Sequence, residues 1–248
     1  MSYSRTFMGK GTIYRRKRGV SNSPLEPMGN CSKLSFAIAQ EEISEQDYEN
    51  PGGGKRASIK RITGVTANII TKNHDPLILA LGLRGTITSE VSLTAIVGEA
   101  HADVAKGSLV VLNRFQNLAV APVVKKGATV IAAGNYELRR AGIYILPGAA
   151  DITAGDDITV DYTPLAESGV EALTVTGDEY YLFFDGLNEA DSGRPVAVEA
   201  HRIDFSPMAG MDLISDEFGN VELAAEVLSD DAIVAGDESK YFRVRFAA

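Results

Sequence analysis

The sequence predicts a mainly β protein: a sandwich or barrel of antiparallel strands with one short flanking helix, an extended N-terminal arm and a long inter-strand loop. Three observations carry this expectation. From residue 57 onward, apolar and polar residues alternate in segment after segment, the period-2 signature of half-buried strands. Gly155-Asp156-Asp157, Gly177-Asp178-Glu179 and Gly236-Asp237-Glu238 each stand just before such a segment, as turns do in a meander. One segment carries start and stop signals for a helix, and glycine is plentiful at 24 residues.

Taken in order, residues 1–30 lack sustained periodicity and contain Ser-Asn-Ser-Pro and Glu-Pro, which read as an extended arm. Leu34, Phe36 and Ile38 alternate as a short strand, and residues 59–70 form a second, with Val65, Ala67 and Ile69 against Gly64, Thr66 and Asn68. Between them residues 41–55 read as a long polar loop ending in three glycines, where a two-residue turn would suffice to pair the strands. A single domain gains little from such a loop, so it is expected to touch another molecule.

The helix spans residues 75–81. Asp75 caps it, Pro76 fits its first position, and Gly82 is expected to end it in a left-handed conformation. Leu77, Ile78, Leu79 and Leu81 leave it no polar face, so it should be largely buried. A weaker helical period runs over residues 89–105 through Val91, Thr94, Ala95, Gly98 and Ala102. Further strands are expected over 109–115, 118–124, 143–146, 158–163, 173–176, 180–187, 196–205 and 221–228. In the last strand Phe242, Val244 and Phe246 face one way, and Tyr241, Arg243 and Arg245 the other. Length alone does not choose between one large β domain and two smaller ones. The division adopted is an arm over 1–30 and one β-sandwich domain over 31–248, with 108–170 as a candidate insertion.

Hydrophobic content of 45% is enough for a core, and no apolar run approaches the roughly 18 residues that cross a bilayer. The basic N-terminus lacks the apolar stretch of a secretory signal. Cys31 is the only cysteine, so it has no intramolecular disulfide partner, and synthesis in a reducing cytoplasm is expected. Charge is uneven. Residues 1–25 carry six basic residues and no acid, whereas residues 151–248 carry 22 acids against five bases. A basic head and an acidic tail favour head-to-tail association between copies. They equally fit a solvated basic arm and a solvated acidic surface.

Motifs for chemistry fail one by one. Gly52-Gly53-Gly54-Lys55 is not a phosphate loop, which would need glycine at Glu49 and Ser or Thr at Arg56. His74, His101 and His201 lack metal-ligand spacing. Cys31 beside Lys33 could be an activated nucleophile, but a structural cysteine opening a strand is the simpler reading. No GxSxG elbow and no dinucleotide fingerprint occur, and the acid-rich segments 151–161 and 185–191 do not fit a Ca²⁺ loop. Asp156 and Asp157 read as solvated turn residues. No catalytic, metal or cofactor residue is therefore expected. Arg15, Arg16, Lys17 and Arg18, beside Tyr14, could contact nucleic acid, yet the acidic remainder repels DNA. An arm reaching for an acidic neighbour fits both facts.

The chain resembles the major tail tube proteins of long, non-contractile-tailed bacteriophages. The likeness lies in residues 29–36 (GNCSKLSF) with the acidic loop after them, in 61–67 (RITGVTA) running into His74-Asp75-Pro76-Leu77, and in 198–207 (VEAHRIDFSP) followed by 211–214 and 218–223. It spans most of the chain, and 108–170 match least. The resemblance implies hexameric rings stacked head to tail into a hollow virion tube, assembled in the host cytoplasm. Tape measure, terminator and distal tail proteins would be its partners, no membrane is involved, and DNA passes down the lumen without specific binding. It implies that the long loop (Glu41, Glu42, Glu45, Asp47, Tyr48, Gly52, Gly53, Gly54, Lys55 and Arg56) and the arm with Arg15, Arg16, Lys17 and Arg18 bridge successive rings. An acidic lumen would repel DNA in transit, with Asp212, Asp216, Glu217, Glu222 and Glu226 as candidates. The competing readings are a head decoration or tail-terminator protein, and a carbohydrate-binding or hydrolytic β-sandwich with a site in loops such as 185–194. The absence of Trp weighs against sugar stacking.

Overall fold

The computed structural model describes residues 6–247 and is built almost wholly of antiparallel strands. Strands Gly9–Lys17 (β1), Glu26–Pro27 (β2), Cys31–Gln46 (β3) and Lys55–Thr71 (β4) precede helix Pro76–Gly82 (α1). Then come Thr86–Glu90 (β5), Ile96–Val104 (β6), Leu109–Val111 (β7), Val123–Lys126 (β8), Thr129–Val130 (β9), Tyr136–Arg139 (β10), Gly142–Ile145 (β11) and Asp156–Tyr162 (β12). The chain finishes with Glu167–Glu171 (β13), Glu179–Asn188 (β14), Arg194–Phe205 (β15), Val221–Val227 (β16) and Phe242–Phe246 (β17).

Two compact units result. The first takes the chain up to Ile87 and again from Val170, and the second is residues 88–169, inserted between them. In the first unit one sheet runs β2-β1-β14-β15-β16-β4-β3. Strand β15 pairs with β14 along one edge, and its other edge is shared by β17, opposite residues 196–200, and by β16, opposite 203–205. Alternation fixes the buried face: Val221, Leu223, Ala225 and Val227 of β16 point inward, while Glu222, Ala224 and Glu226 stay exposed. Ile13, Ile69, Ile78, Leu182, Ile203 and Leu223 form the heart of this core. Met28, fully buried between β2 and β3, donates its N–H to Ile13 O at 2.8 Å and accepts the Thr71 hydroxyl at 3.2 Å, which ties β1 to β4. Phe36 and Phe242 stack with centroids 4.9 Å apart.

Helix α1 starts as expected, Asp75 Oδ1 accepting the Ile78 N–H at 2.9 Å. Its end differs. The left-handed residue is Arg84, at φ 47°, not Gly82, which is still helical and buried.

The second unit has its own core, with Ile143, Ile145, Ile152, Ile158 and Val160 enclosed by a four-stranded sheet (β6-β12-β8-β9) and a three-stranded one (β10-β11-β7). Gln116, almost fully buried, donates to the Gly142 carbonyl at 2.9 Å and holds β11 in place. The chain enters and leaves this unit through β5 and β13, which pair as a two-stranded ribbon.

Several expectations are corrected. Residues 9–17 are not an extended arm but an integral strand, because Ile13 fills the core and the backbone pairs with β14 over its whole length. Residues 1–5 of the expected arm lie outside the described residues. The loop expected over 41–55 is shorter: β3 continues to Gln46, β4 starts at Lys55, and only residues 47–54 turn. The inserted unit starts at 88, not 108. Residues 89–105 hold no helix: they cover the end of β5, an irregular stretch and β6, which gains its hydrogen bonds from β12. Residues 173–176 form no strand; Leu173, at φ 59°, sits in a turn.

Candidate functional site

The β3–β4 hairpin outgrows its own domain. Its inner half is anchored, with Leu34, Phe36 and Ile38 opposite Ile69, Ala67 and Val65, and with β16 beside residues 66–71 of β4. Beyond Gly64 the register slips by one residue and both strands run on with no layer against them. Ile43 lies opposite Ile59, and Glu41 opposite Arg61, on one face; Ile62 lies opposite Gln40, and Lys60 opposite Glu42, on the other. Ile59 is 59% exposed and Ile62 67%. Both faces thus carry isoleucine in open solvent, and both outer edges present unpaired backbone groups among the described residues.

The hairpin is also polarised. Its β3 edge holds Glu41, Glu42 and Glu45, and its β4 edge holds Lys55, Arg56, Lys60 and Arg61. Lys55 Nζ donates to Glu42 at 2.6 Å and holds that carboxyl below the usual range. At the tip Asp47 accepts the Glu49 N–H at 2.9 Å and the Asn50 side-chain amide at 2.6 Å, the latter being the main reason its carboxyl is held low. Arg56 reaches Glu49 at 2.9 Å, and Tyr48 stands 88% exposed. Gly52, Gly53 and Gly54 all have positive φ (115°, 65° and 143°), so the turn depends on them.

The other sequence-expected residues fall elsewhere. Arg15, Arg16, Lys17 and Arg18 are each engaged within the first unit. Arg15, buried to 5% exposure, lies over the Tyr180 ring and within 3.3 Å of Glu26, and Arg16 lies over Tyr181. Lys17 pairs with Asp178 at 2.6 Å, and Arg18 with Asp230 at 2.6 Å. The five acids named for a lumen are split. Glu222 and Glu226 share the outward face of β16, whereas Asp212, Asp216 and Glu217 belong to the long exposed loop joining β15 to β16. Sequence reasoning overlooked what accompanies those three: Leu213 is 79%, Ile214 97% and Phe218 93% exposed.

An open apolar cleft of about 810 Å³ in the first unit is lined by Ile13, Leu34, Phe36, Phe184, Val198 and Phe246, with Lys10 and Lys33 among its borders. Cys31 also borders it, its thiol pushed up by burial and so kept protonated. In the second unit Glu99 accepts the Tyr162 hydroxyl at 2.7 Å and the Asn113 N–H at 2.9 Å, with His101 Nε2 3.1 Å away. Burial, then Glu99, pushes the Tyr162 phenol up, while His101 Nε2 is buried without a hydrogen-bond partner among the described residues. No grouping of three or more His, Cys, Asp or Glu suited to a metal ion occurs among the described residues.

A family model described as "Protein of unknown function UCP028589" matches residues 6–245. No curated protein matches the chain.

Proposed function

The chain belongs to that family, whose description names no activity, and from this premise and its own geometry we propose that it is a self-assembling structural subunit, the building block of a phage tail tube. The observation that carries the reading is the hairpin. A monomer has no use for a strand pair that exposes isoleucines on both faces and leaves both edges unpaired. Edge pairing with neighbours covers the backbone groups, and packing of Ile43, Ile59 and Ile62 against neighbouring copies removes apolar area from water, at about 25 cal/mol per Å² buried.

The polarity of the hairpin sets the mode of association. An acidic edge on one side and a basic edge on the other are mutually complementary and self-repelling, which favours heterologous contacts that close into rings or continue as filaments. Stacked hexameric rings forming a conduit for DNA, in a virion, are the form the sequence resemblance implies. Glu222 and Glu226, on the outward face of the sheet, are the acids best placed for a repelling lumen. The bridging surface proposed here rests on the hairpin.

Negative-stain electron microscopy of the purified chain over a range of concentrations tests this. Stacked rings or hollow tubes are expected, and averaging gives their symmetry. A uniform monomer at high concentration, unchanged when pre-formed tail tips are added, would refute it.

A further inference from the structure

The 810 Å³ cleft of the first unit stands open among the described residues. Every residue from Asn30 to Phe36 lines it, so β3 contributes its open edge as well as its side chains. Phe184, Val196, Val198, Val244 and Phe246 add apolar surface, and Phe246 is 63% exposed. Among the described residues, the charged ones of the lining are Lys10 and Lys33. Lys10 pairs with Glu189 at 2.7 Å, whereas Lys33 has no ion-pair partner among the described residues.

The same unit carries the opposite pattern in the loop between β15 and β16. Residues 211–218 read Met-Asp-Leu-Ile-Ser-Asp-Glu-Phe, with three acids, no base and four large apolar side chains. From Ala209 to Asn220 the main chain donates only once, Glu217 N–H to Ser215 Oγ at 3.0 Å. A segment of this length with its backbone unpaired and its apolar groups in water is poised for an extended docking contact.

We propose that residues 211–218 of one copy seat in this cleft of another copy. Leu213, Ile214 and Phe218 cover the apolar lining, Asp212, Asp216 and Glu217 face Lys10 and Lys33, and the main chain runs beside the open edge of β3. The inference rests on the reading that the chain self-associates, and it names one of the surfaces involved. Donor and acceptor differ and sit on the same chain, so each copy can give a loop to one neighbour and take a loop from another.

A photo-crosslinking residue placed at Ile214 tests the contact in the full chain, with mass spectrometry of the products. Intermolecular crosslinks to peptides holding residues 30–36, 196–198 or 244–246 are expected under assembling conditions. The triple variant L213S/I214S/F218S should keep its circular dichroism and melting temperature, because the three side chains are exposed, while its assembled fraction falls at least tenfold. K33E should weaken assembly, and K33E combined with D216K should restore it. Tubes that form normally from the triple variant, or crosslinks confined to other surfaces, would overturn the docking and leave the tube reading intact. Reciprocally crosslinked closed dimers would support the docking and overturn the tube. A wild-type chain that never associates would overturn both.

Discussion

Replacing Arg18 by Ala isolates a buried charge and gives a pH-dependent loss of stability. Arg18 Nη1 donates to Asp230 Oδ2 at 2.6 Å and to the His201 carbonyl at 2.6 Å, and Nη2 donates to Asp230 Oδ1 at 3.1 Å. The Asp230 side chain is 10% exposed, that of Arg18 30%. Removing one partner of a fully buried pair costs about 3–5 kcal/mol. Here water reaches Arg18, and the Ala232 N–H remains on Asp230 at 3.2 Å, so about 2 kcal/mol is expected at pH 7. The Arg18 hydrogen bonds are the main cause holding the Asp230 carboxyl below its usual value, which is about 3.9 in an unfolded chain. A carboxyl with a depressed folded pKa stabilises fully above the unfolded value, and loses that contribution as pH falls through the folded one. The gap between wild type and R18A should therefore be widest above about pH 5 and narrow as pH is lowered toward 3. Urea unfolding followed by circular dichroism at pH 7 and pH 3 reads this directly, with the transition of the second unit as an internal control. R18K should recover part of the loss. An R18A penalty equal at both pH values, or below about 0.5 kcal/mol at pH 7, would refute the pairing as a source of stability.

Three further outcomes are expected. Asp75→Ala removes the 2.9 Å cap of α1 and should cost about 1 kcal/mol, seen by calorimetry as a lower melting temperature of the first unit; no change would show that the helix is held by packing alone. Replacing Gly52, Gly53 and Gly54 by Val forces β-branched residues into positive φ at a tip that touches nothing else, so assembly should suffer more than melting temperature. Normal polymers together with a large thermal loss would contradict this. Deleting residues 1–20 removes β1 and Ile13 from the core, so the first unit should lose its cooperative unfolding transition in circular dichroism; a native transition in the truncated chain would show β1 to be dispensable.

Much of the fold was legible where side chains face two different environments. Strands β14 and β16 alternate because one face meets the core, and α1 announces itself through Asp75 and Pro76. Strand β1 hid because its only buried apolar residue is Ile13. Its Gly11 is needed where the backbones of β1 and β14 approach so closely that a Cβ would meet Asp185 O at 2.2 Å. A glycine and a run of cations look like an arm when the packing partner is 170 residues away in sequence. The outer half of β3 hid for the opposite reason: with neither face buried inside the chain, nothing in the side-chain pattern marks residues 40–46 as strand, and only backbone pairing with β4 does. The candidate surface was legible in position but not in character, because Ile43, Ile59 and Ile62 look like core residues until nothing is found to cover them.

The ribbon formed by β5 and β13 has a consequence of its own. Because these two strands pair with each other, the inserted unit begins and ends at neighbouring points, and the path of the main sheet is continuous without it. The ribbon is thus a splice site. A short turn joining β5 to β13 would excise the unit without cutting any strand of the eight-stranded sheet, and any domain with adjacent termini is a candidate passenger there. Copies joined through the main sheet would display such passengers at regular intervals, one for every subunit.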